Sequence, residues 1–162
     1  MKTKRLAAAL VLALALAGCA AKSEQQTVAD ALGLDVAGGT LLAAGDTHGG
    51  FHGDGVSCIA LSFEDDRLEN QLAADPAWQP LPMDDTTRAL VWGVEDETGS
   101  FGPLLADGEG TPLIPPADAG YYRLIDRHAD QATPILERAS FNFTVAVYDA
   151  EARVLCYAEL DT

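Results

Sequence analysis

Two stretches near the end of the chain alternate between large apolar and smaller or polar side chains. Residues 141–148 carry large apolar side chains at odd positions, and residues 154–160 carry apolar side chains at even positions. A period of two predicts β-strands with one buried face each, and an even-length turn between them sets buried face against buried face. The predicted hairpin pairs Val147 with Val154, Val145 with Cys156 and Phe143 with Ala158.

The other apolar runs predict a mixed fold. Acidic residues followed by Leu68 and Leu72 on one face favour a helix at residues 64–74, and Thr133-Pro134 favours the start of a short helix. We therefore expect an α+β fold in a single domain over residues 40–162, with a mainly antiparallel sheet of about five strands and one principal helix. Further strands are predicted at residues 40–44, 56–63 (central), 89–94 and 121–126, short helices at 27–32 and 134–138, and a long Gly/Pro-rich excursion at 95–120.

The beginning of the chain has the pattern of an export signal. Basic residues precede an apolar run that is shorter than the roughly 20 residues that cross a bilayer. The run ends in Leu16-Ala17-Gly18-Cys19, which resembles the lipobox of bacterial lipoproteins. The resemblance implies that residues 1–18 are a signal peptide, that Cys19 carries lipid and that residues 19–39 form a lipid-anchored tether. The alternative is an ordinary secretory signal in which Cys19 is incidental.

The net charge of the chain narrows the class of macromolecule that it is expected to bind. The 162 residues carry 10 Lys and Arg against 25 Asp and Glu, a formal charge of −15 at pH 7. Loss of residues 1–18 removes three basic and no acidic side chains, which leaves −18. This charge excludes nucleic acid as an expected partner, because binding to phosphates depends on Lys and Arg. The expected attachment is to the cell membrane or outer membrane, on the extracytoplasmic side, through lipid on Cys19.

Two further cysteines remain for the exported domain. Cys58 and Cys156 both lie at apolar positions of predicted strands. Export favours a disulfide between them, and the loop that it closes would stabilise the fold by up to about 4.7 kcal/mol in the chain-entropy description. The alternative is a pair of buried free thiols, because an unpaired cysteine packs as a small hydrophobic side chain.

A glycine-rich segment at residues 45–55 holds the strongest candidate for a chemical site. Its polar residues are Asp46, His48, His52 and Asp54, a set that suits zinc or another divalent metal. A three-residue loop would place all four on one face of a hairpin. A two-residue Gly-Gly turn, which local turn chemistry favours, would place the two histidines on opposite faces. The same residues would also suit a polar turn whose side chains bond the backbone, or a site for a different ligand.

Catalysis without a metal has weaker support. Ser57 and Ser62 lie near the Asp46 and His48 pair, but the chain has no Gly-x-Ser-x-Gly, HExxH or SxxK motif. We therefore expect no catalytic residue and leave the assignment as an enzyme open, with a non-enzymatic protein favoured.

Segments of the exported part resemble small bacterial envelope proteins. The resemblance rests on Asp-Thr-His-Gly-Gly-Phe-His-Gly-Asp-Gly at 46–55, on residues 120–128 and on residues 139–149. It implies a shared fold and transfers no catalytic residue. The leading hypothesis is a membrane-tethered lipoprotein that binds a protein or glycan ligand without a cofactor. The alternative is a divalent-metal-binding protein or metal-dependent hydrolase that uses the 46–54 hairpin, with zinc or another divalent metal as the bound ion.

Overall fold

The computed structural model describes residues 22–49, 53–97 and 99–162. Within them the fold is α+β, as the hydrophobic pattern predicts, with a six-stranded antiparallel sheet, a small two-stranded sheet and three α-helices. The helices are α1 (Glu24–Leu32), α2 (Arg67–Ala74) and α3 (Asp85–Trp92), and a 3-10 helix spans Ile135–Glu137. The strands are β1 (Thr40–Asp46), β2 (Gly55–Ser62), β3 (Gln79–Pro80), β4 (Val94–Asp96), β5 (Gly99–Phe101), β6 (Gly120–Asp126), β7 (Asn142–Asp149) and β8 (Val154–Asp161).

The large sheet has the strand order β1-β2-β8-β7-β6-β3, with the predicted C-terminal hairpin β7–β8 at its centre. The hairpin is confirmed, but its predicted register is wrong by two residues. The turn occupies residues 150–153, because the Asp149 carboxylate accepts hydrogen bonds from the backbone N–H groups of Glu151 and Ala152 at 2.8 and 2.9 Å. Buried residues still face one another, and the observed pairs are Val147 with Cys156, Val145 with Ala158 and Phe143 with Leu160.

Both faces of this sheet are covered. On one face, Leu61, Tyr148 and Tyr157 belong to a core cluster that includes the buried residues of α1 and α2. On the other face, residues such as Phe143 and Val145 belong to a second cluster with α3 and with the segment between β5 and β6. Strand β7 is therefore buried along almost its whole length rather than on one face only.

The segment assigned to the tether contributes to the first cluster. The prediction that residues 19–39 lie outside the domain is wrong for its second half, since Val28, Leu32, Leu34 and Val36 are each at most 7% exposed. The helix expected at residues 27–32 begins earlier, at Glu24, because the Ser23 hydroxyl accepts a hydrogen bond from the Gln26 N–H at 3.1 Å. The folded unit therefore includes α1 and does not begin at residue 40.

The strand predicted at residues 89–94 is wrong, because this run belongs to α3. Asp84 caps the helix: its carboxylate accepts hydrogen bonds from the N–H and the hydroxyl of Thr87 at 2.8 and 2.9 Å. Ala89, Leu90 and Val91 of this helix are buried, and Leu90 and Val91 belong to the second core cluster. A short apolar run suits a buried helix as well as a strand, and here the cap that precedes the run decides between them.

The remaining elements refine the prediction. The strands at 40–44, 56–63 and 121–126 and the helix within 64–74 are confirmed, with β2 paired on both sides as expected for a central strand. The excursion at 95–120 is less irregular than expected: it begins with the β4–β5 hairpin and buries Leu105 and Ile114 in the second cluster. In the described residues, no helix is long and apolar enough to cross a membrane.

The two cysteines lie on neighbouring strands but are free thiols in the structure, so the predicted disulfide is not formed there. Cys58 pairs with Ala158, and Cys156 pairs with Ala60, which makes the two cysteines diagonal neighbours in the β2–β8 ladder. Diagonal neighbours on antiparallel strands lie about 7–8 Å apart, beyond the usual Cα separation in a disulfide.

Removal of the α3 cap is expected to destabilise the fold. Replacing Asp84 by alanine leaves the Thr87 N–H without its acceptor, so the free energy of unfolding should fall by about 0.5–2 kcal/mol in urea titrations. Asp84→Asn keeps an acceptor oxygen and is the matched control. Equal losses in the two variants would contradict a capping role.

The difference in stability between the parent protein and Asp84→Ala is expected to depend on pH. Desolvation raises the pKa of Asp84, but hydrogen bonds from Thr87 and Tyr122 outweigh it and hold the pKa below the ordinary value. The stabilisation by the ionised carboxylate is therefore full above about pH 4 and is lost as the pH falls below that value, so the Asp84→Ala deficit should shrink in acid.

The free thiols give a second prediction, read by mass spectrometry of the intact chain and its peptides. Burial raises the pKa of Cys58 and, more strongly, that of Cys156, to about 12. Cys156 is only 8% exposed, so a maleimide should label Cys58 first in the folded protein and both cysteines after unfolding. A gain of two hydrogens on reduction would show that the pair is bridged in solution.

Candidate functional site

The β1–β2 connection is wider than either loop predicted for it. Asp46 pairs with Ser57, and the next bonds join Thr47 to Val56 through both the backbone and the Thr47 hydroxyl, at 2.9–3.0 Å. Thr47 and Val56 are therefore the last bonded pair that the structure describes between β1 and β2. The three-residue loop that would set Asp46 opposite Asp54 is wrong, and so is the two-residue turn.

The register of this hairpin does not set Asp46 opposite Asp54, the pairing that the predicted metal set required. His52 lies outside the described residues, and among those the structure describes, no group of three His, Cys, Asp or Glu side chains is arranged to hold a metal ion. Metal binding by Asp46, His48, His52 and Asp54 stays a prediction for which the hairpin register supplies no support.

His48 is instead held by carboxylates. Its Nδ1 lies 2.7 Å from Asp46 Oδ1, which also accepts the His48 backbone N–H at 2.8 Å. These two bonds, the backbone one first, lower the pKa of the Asp46 carboxyl. Gly55 makes this position possible, because a Cβ there would lie 2.5 Å from the His48 Cα.

The other ring nitrogen is not bonded to any nucleophile. His48 Nε2 lies 3.3 Å from Asp161 Oδ2, is buried, and makes no hydrogen bond with a described residue. Ser57 lies near the histidine on β2, but it is not bonded to this nitrogen. A histidine activates a serine only by accepting its proton across such a bond. In the described residues, His48 and Ser57 are therefore not joined by the hydrogen bond of a Ser–His–Asp arrangement.

A row of polar residues crosses the sheet beside His48. Asp46, Ser57, Glu159 and Thr144 are successive cross-strand neighbours on β1, β2, β8 and β7. Arg127 closes the row at its inner end: its guanidinium donates to Thr144 Oγ1 at 3.0 Å and lies 2.9 Å from Asp161 Oδ1. The Thr144 hydroxyl donates to Glu159 Oε1 at 3.1 Å. On β2, β8 and β7, these polar residues adjoin apolar residues of the first core cluster.

The outer part of this row lines an open recess of about 400 Å³, the acidic recess. Glu24, Asp46 and Glu159 contribute carboxylates to it, together with His48 and Ser57. The one lysine at its rim, Lys22, is bonded to Asp30 at 2.7 Å, and this bond lowers the pKa of the Asp30 carboxyl. The charge that faces the recess is therefore mostly negative.

A second depression lies on the opposite face of the same sheet edge. This depression, the apolar groove, has a volume of about 370 Å³ and is lined by Gly45, Val56, Cys58 and Leu113 together with Asp46, Thr47 and residues 106–108, which include Asp107. Cys58 thus lies at a groove rather than in a disulfide. Neither depression was predicted, because both depend on which segments cover β2.

Strand β1 runs between the two depressions, and among the described strands it has a neighbour on one side only. All seven residues of β1 are exposed, including Leu41 at 40% and Leu42 at 56%, and the ladder is irregular between Leu41 and Ala43. The opposite edge of the sheet, β3, has only two residues, and one is Pro80. Short strands and proline protect a sheet edge from further pairing, whereas a long neutral edge invites it. The hydrophobic pattern predicts β1 as a strand but not its place at the edge.

His128 is not among the residues that line the acidic recess. It bonds Ser140 Oγ at 3.0 Å and takes part in the turn that ends β6. Cys19 lies outside the described residues.

Comparisons with known proteins add no functional assignment to this geometry. No protein-family model matches the chain, and neither the curated proteins nor the solved structures that were compared with it gave a match.

Proposed function

We propose that this protein is a lipid-anchored extracytoplasmic binding module that captures an extended segment of another protein at the β1 edge and performs no chemistry on it. The observation that carries the proposal is the seven-residue strand β1, in which every residue is exposed. An open edge offers a row of backbone donors and acceptors, and an extended peptide can add to it as a further strand. A protein ligand is favoured over a glycan because these groups match a peptide backbone.

The proposed anchor supports a binding role at this place. Cys19 precedes the start of α1 by five residues, and Lys22, Glu24 and Thr27 border the acidic recess. Lipid on Cys19 would therefore hold the β1 edge within a short distance of the membrane surface. The carboxylates of this region would be repelled by anionic lipid, which keeps the edge accessible.

The anchor is tested by metabolic labelling. The full chain, expressed in a bacterium that grows on labelled palmitate, is expected to incorporate the label and to remain in the membrane fraction. Cys19→Ala should lose both properties, and Cys58→Ala serves as the matched control that keeps them. Label that persists in Cys19→Ala would contradict lipidation at this residue.

Strand addition is tested by panning random peptides on phage against the full chain in non-ionic detergent. Parent protein should retain a set of clones that Ala44→Pro does not retain, because proline removes a backbone donor from the edge. Ala44→Ser, which keeps this donor, should retain the same clones as the parent. Clones that bind all three proteins alike, or a panning without enriched clones, would overturn the proposed use of β1.

A further inference from the structure

The backbone of β1 presents its unpaired groups at defined residues. The Thr47 N–H donates to Val56 O, and in an antiparallel ladder bonded and non-bonded residue pairs alternate. Asp46 and Ala44 are therefore the residues whose N–H and C=O groups point away from β2. A peptide that adds to β1 would bond to these two residues.

The side chains of an added strand would enter two unlike surroundings. Successive side chains of a strand point to opposite faces of the sheet. Those on the face of Ala44 would enter the acidic recess, and those on the other face would enter the apolar groove, because the two depressions meet at Gly45 and Asp46. A peptide that adds to β1 would therefore need two alternating kinds of side chain, one kind for each depression.

Charge decides what the recess accepts. Glu24, Asp46 and Glu159 line it, and Lys22 is engaged by Asp30. Arg127, which lies further in, is engaged by Asp161 at 2.9 Å and also lies 3.8 Å from Glu159 Oε1. Among the described residues, this leaves Glu24 and Asp46 as the recess carboxylates without an arginine beside them. A cationic side chain that enters the recess meets carboxylates, whereas an acidic one meets like charge. The groove on the other face offers Val56, Cys58 and Leu113, which favour an apolar side chain.

We propose that the ligand of the β1 edge is an extended peptide segment in which basic and apolar side chains alternate, the basic ones in the acidic recess and the apolar ones in the apolar groove. The inference rests on the proposed function and names its ligand class. A second copy of this chain fits less well, because two chains of formal charge −15 would bring like charges together at the edge.

The test measures fluorescence anisotropy of short labelled peptides with the full chain in non-ionic detergent. The probes are an alternating Lys-Val peptide, its Glu-Val and Lys-Ser counterparts, and a Lys-Val peptide N-methylated at every second residue. The Lys-Val peptide should bind at least about tenfold more tightly than each of the other three. Ala44→Pro should lose this binding, and Ala44→Ser should keep it. Circular dichroism checks that both variants remain folded, and the N-methylated peptide tests the same bonds without a protein variant.

The outcomes separate the ligand class from the proposed function. Equal binding of the Lys-Val and Glu-Val peptides, both lost in Ala44→Pro, would overturn the basic–apolar pattern and leave strand addition standing. Lys-Val binding that survives N-methylation and Ala44→Pro would place the attraction elsewhere on the acidic surface and overturn the inference. A dimer of the parent that Ala44→Pro converts to a monomer, measured by light scattering, would assign the edge to a second copy instead. Absence of binding by every peptide would overturn both proposals.

Discussion

The burial of the β7–β8 pair on both faces is the constraint on which the rest of this fold depends. Six consecutive residues of β7 are buried, so neither face of the central strands can be left to solvent. One face is covered by α1 and α2, and the other by α3 and the segment that carries Leu105 and Ile114. The apolar face of the sheet has to be covered by other segments. Residues 24–36, which the sequence pattern places outside the domain, therefore contribute to the core.

Burial at the centre leaves the edges of the sheet as the places where backbone groups remain open. The two edges differ in kind: β3 is brief and contains Pro80, whereas β1 runs for seven residues with Asp46 as its only charged side chain. A long neutral edge carries a risk of self-association. The strong negative charge of the whole chain opposes that risk, because like-charged copies repel one another in solution.

Local periodicity made part of this structure predictable. The alternation at residues 141–160 was enough to predict the central hairpin and the parity of its pairs. The two-residue error in register came from the turn, which begins one residue later than expected, where the Asp149 carboxylate bonds its backbone. At residues 89–94 the run itself is ambiguous, and the cap at Asp84 lies outside it. The predicted register of the β1–β2 hairpin was wrong for a similar reason: the bonds between Thr47 and Val56 fix which residues pair, and a side chain that bonds across a ladder leaves no mark on the hydrophobic pattern.

The order of the strands lies beyond such local signals. That β1 is at the edge and β2 inside it depends on contacts between segments about a hundred residues apart, such as Cys58 with Ala158. The positions of the acidic recess and the apolar groove also depend on the strand order, because residues of β1 and β2 line both of them.

The docking of α1 has a mechanical consequence. Helix α1 is the first element that the structure describes. Its Val28 and Leu32 pack on the sheet face that carries Leu61 and Tyr157. A pull on the N-terminal end would act first on the seating of α1, which separates by sliding apolar contacts, and only afterwards on the strands, which are joined by rows of hydrogen bonds. A force applied at the N-terminal side of α1 would therefore displace this helix before it separates the central strands.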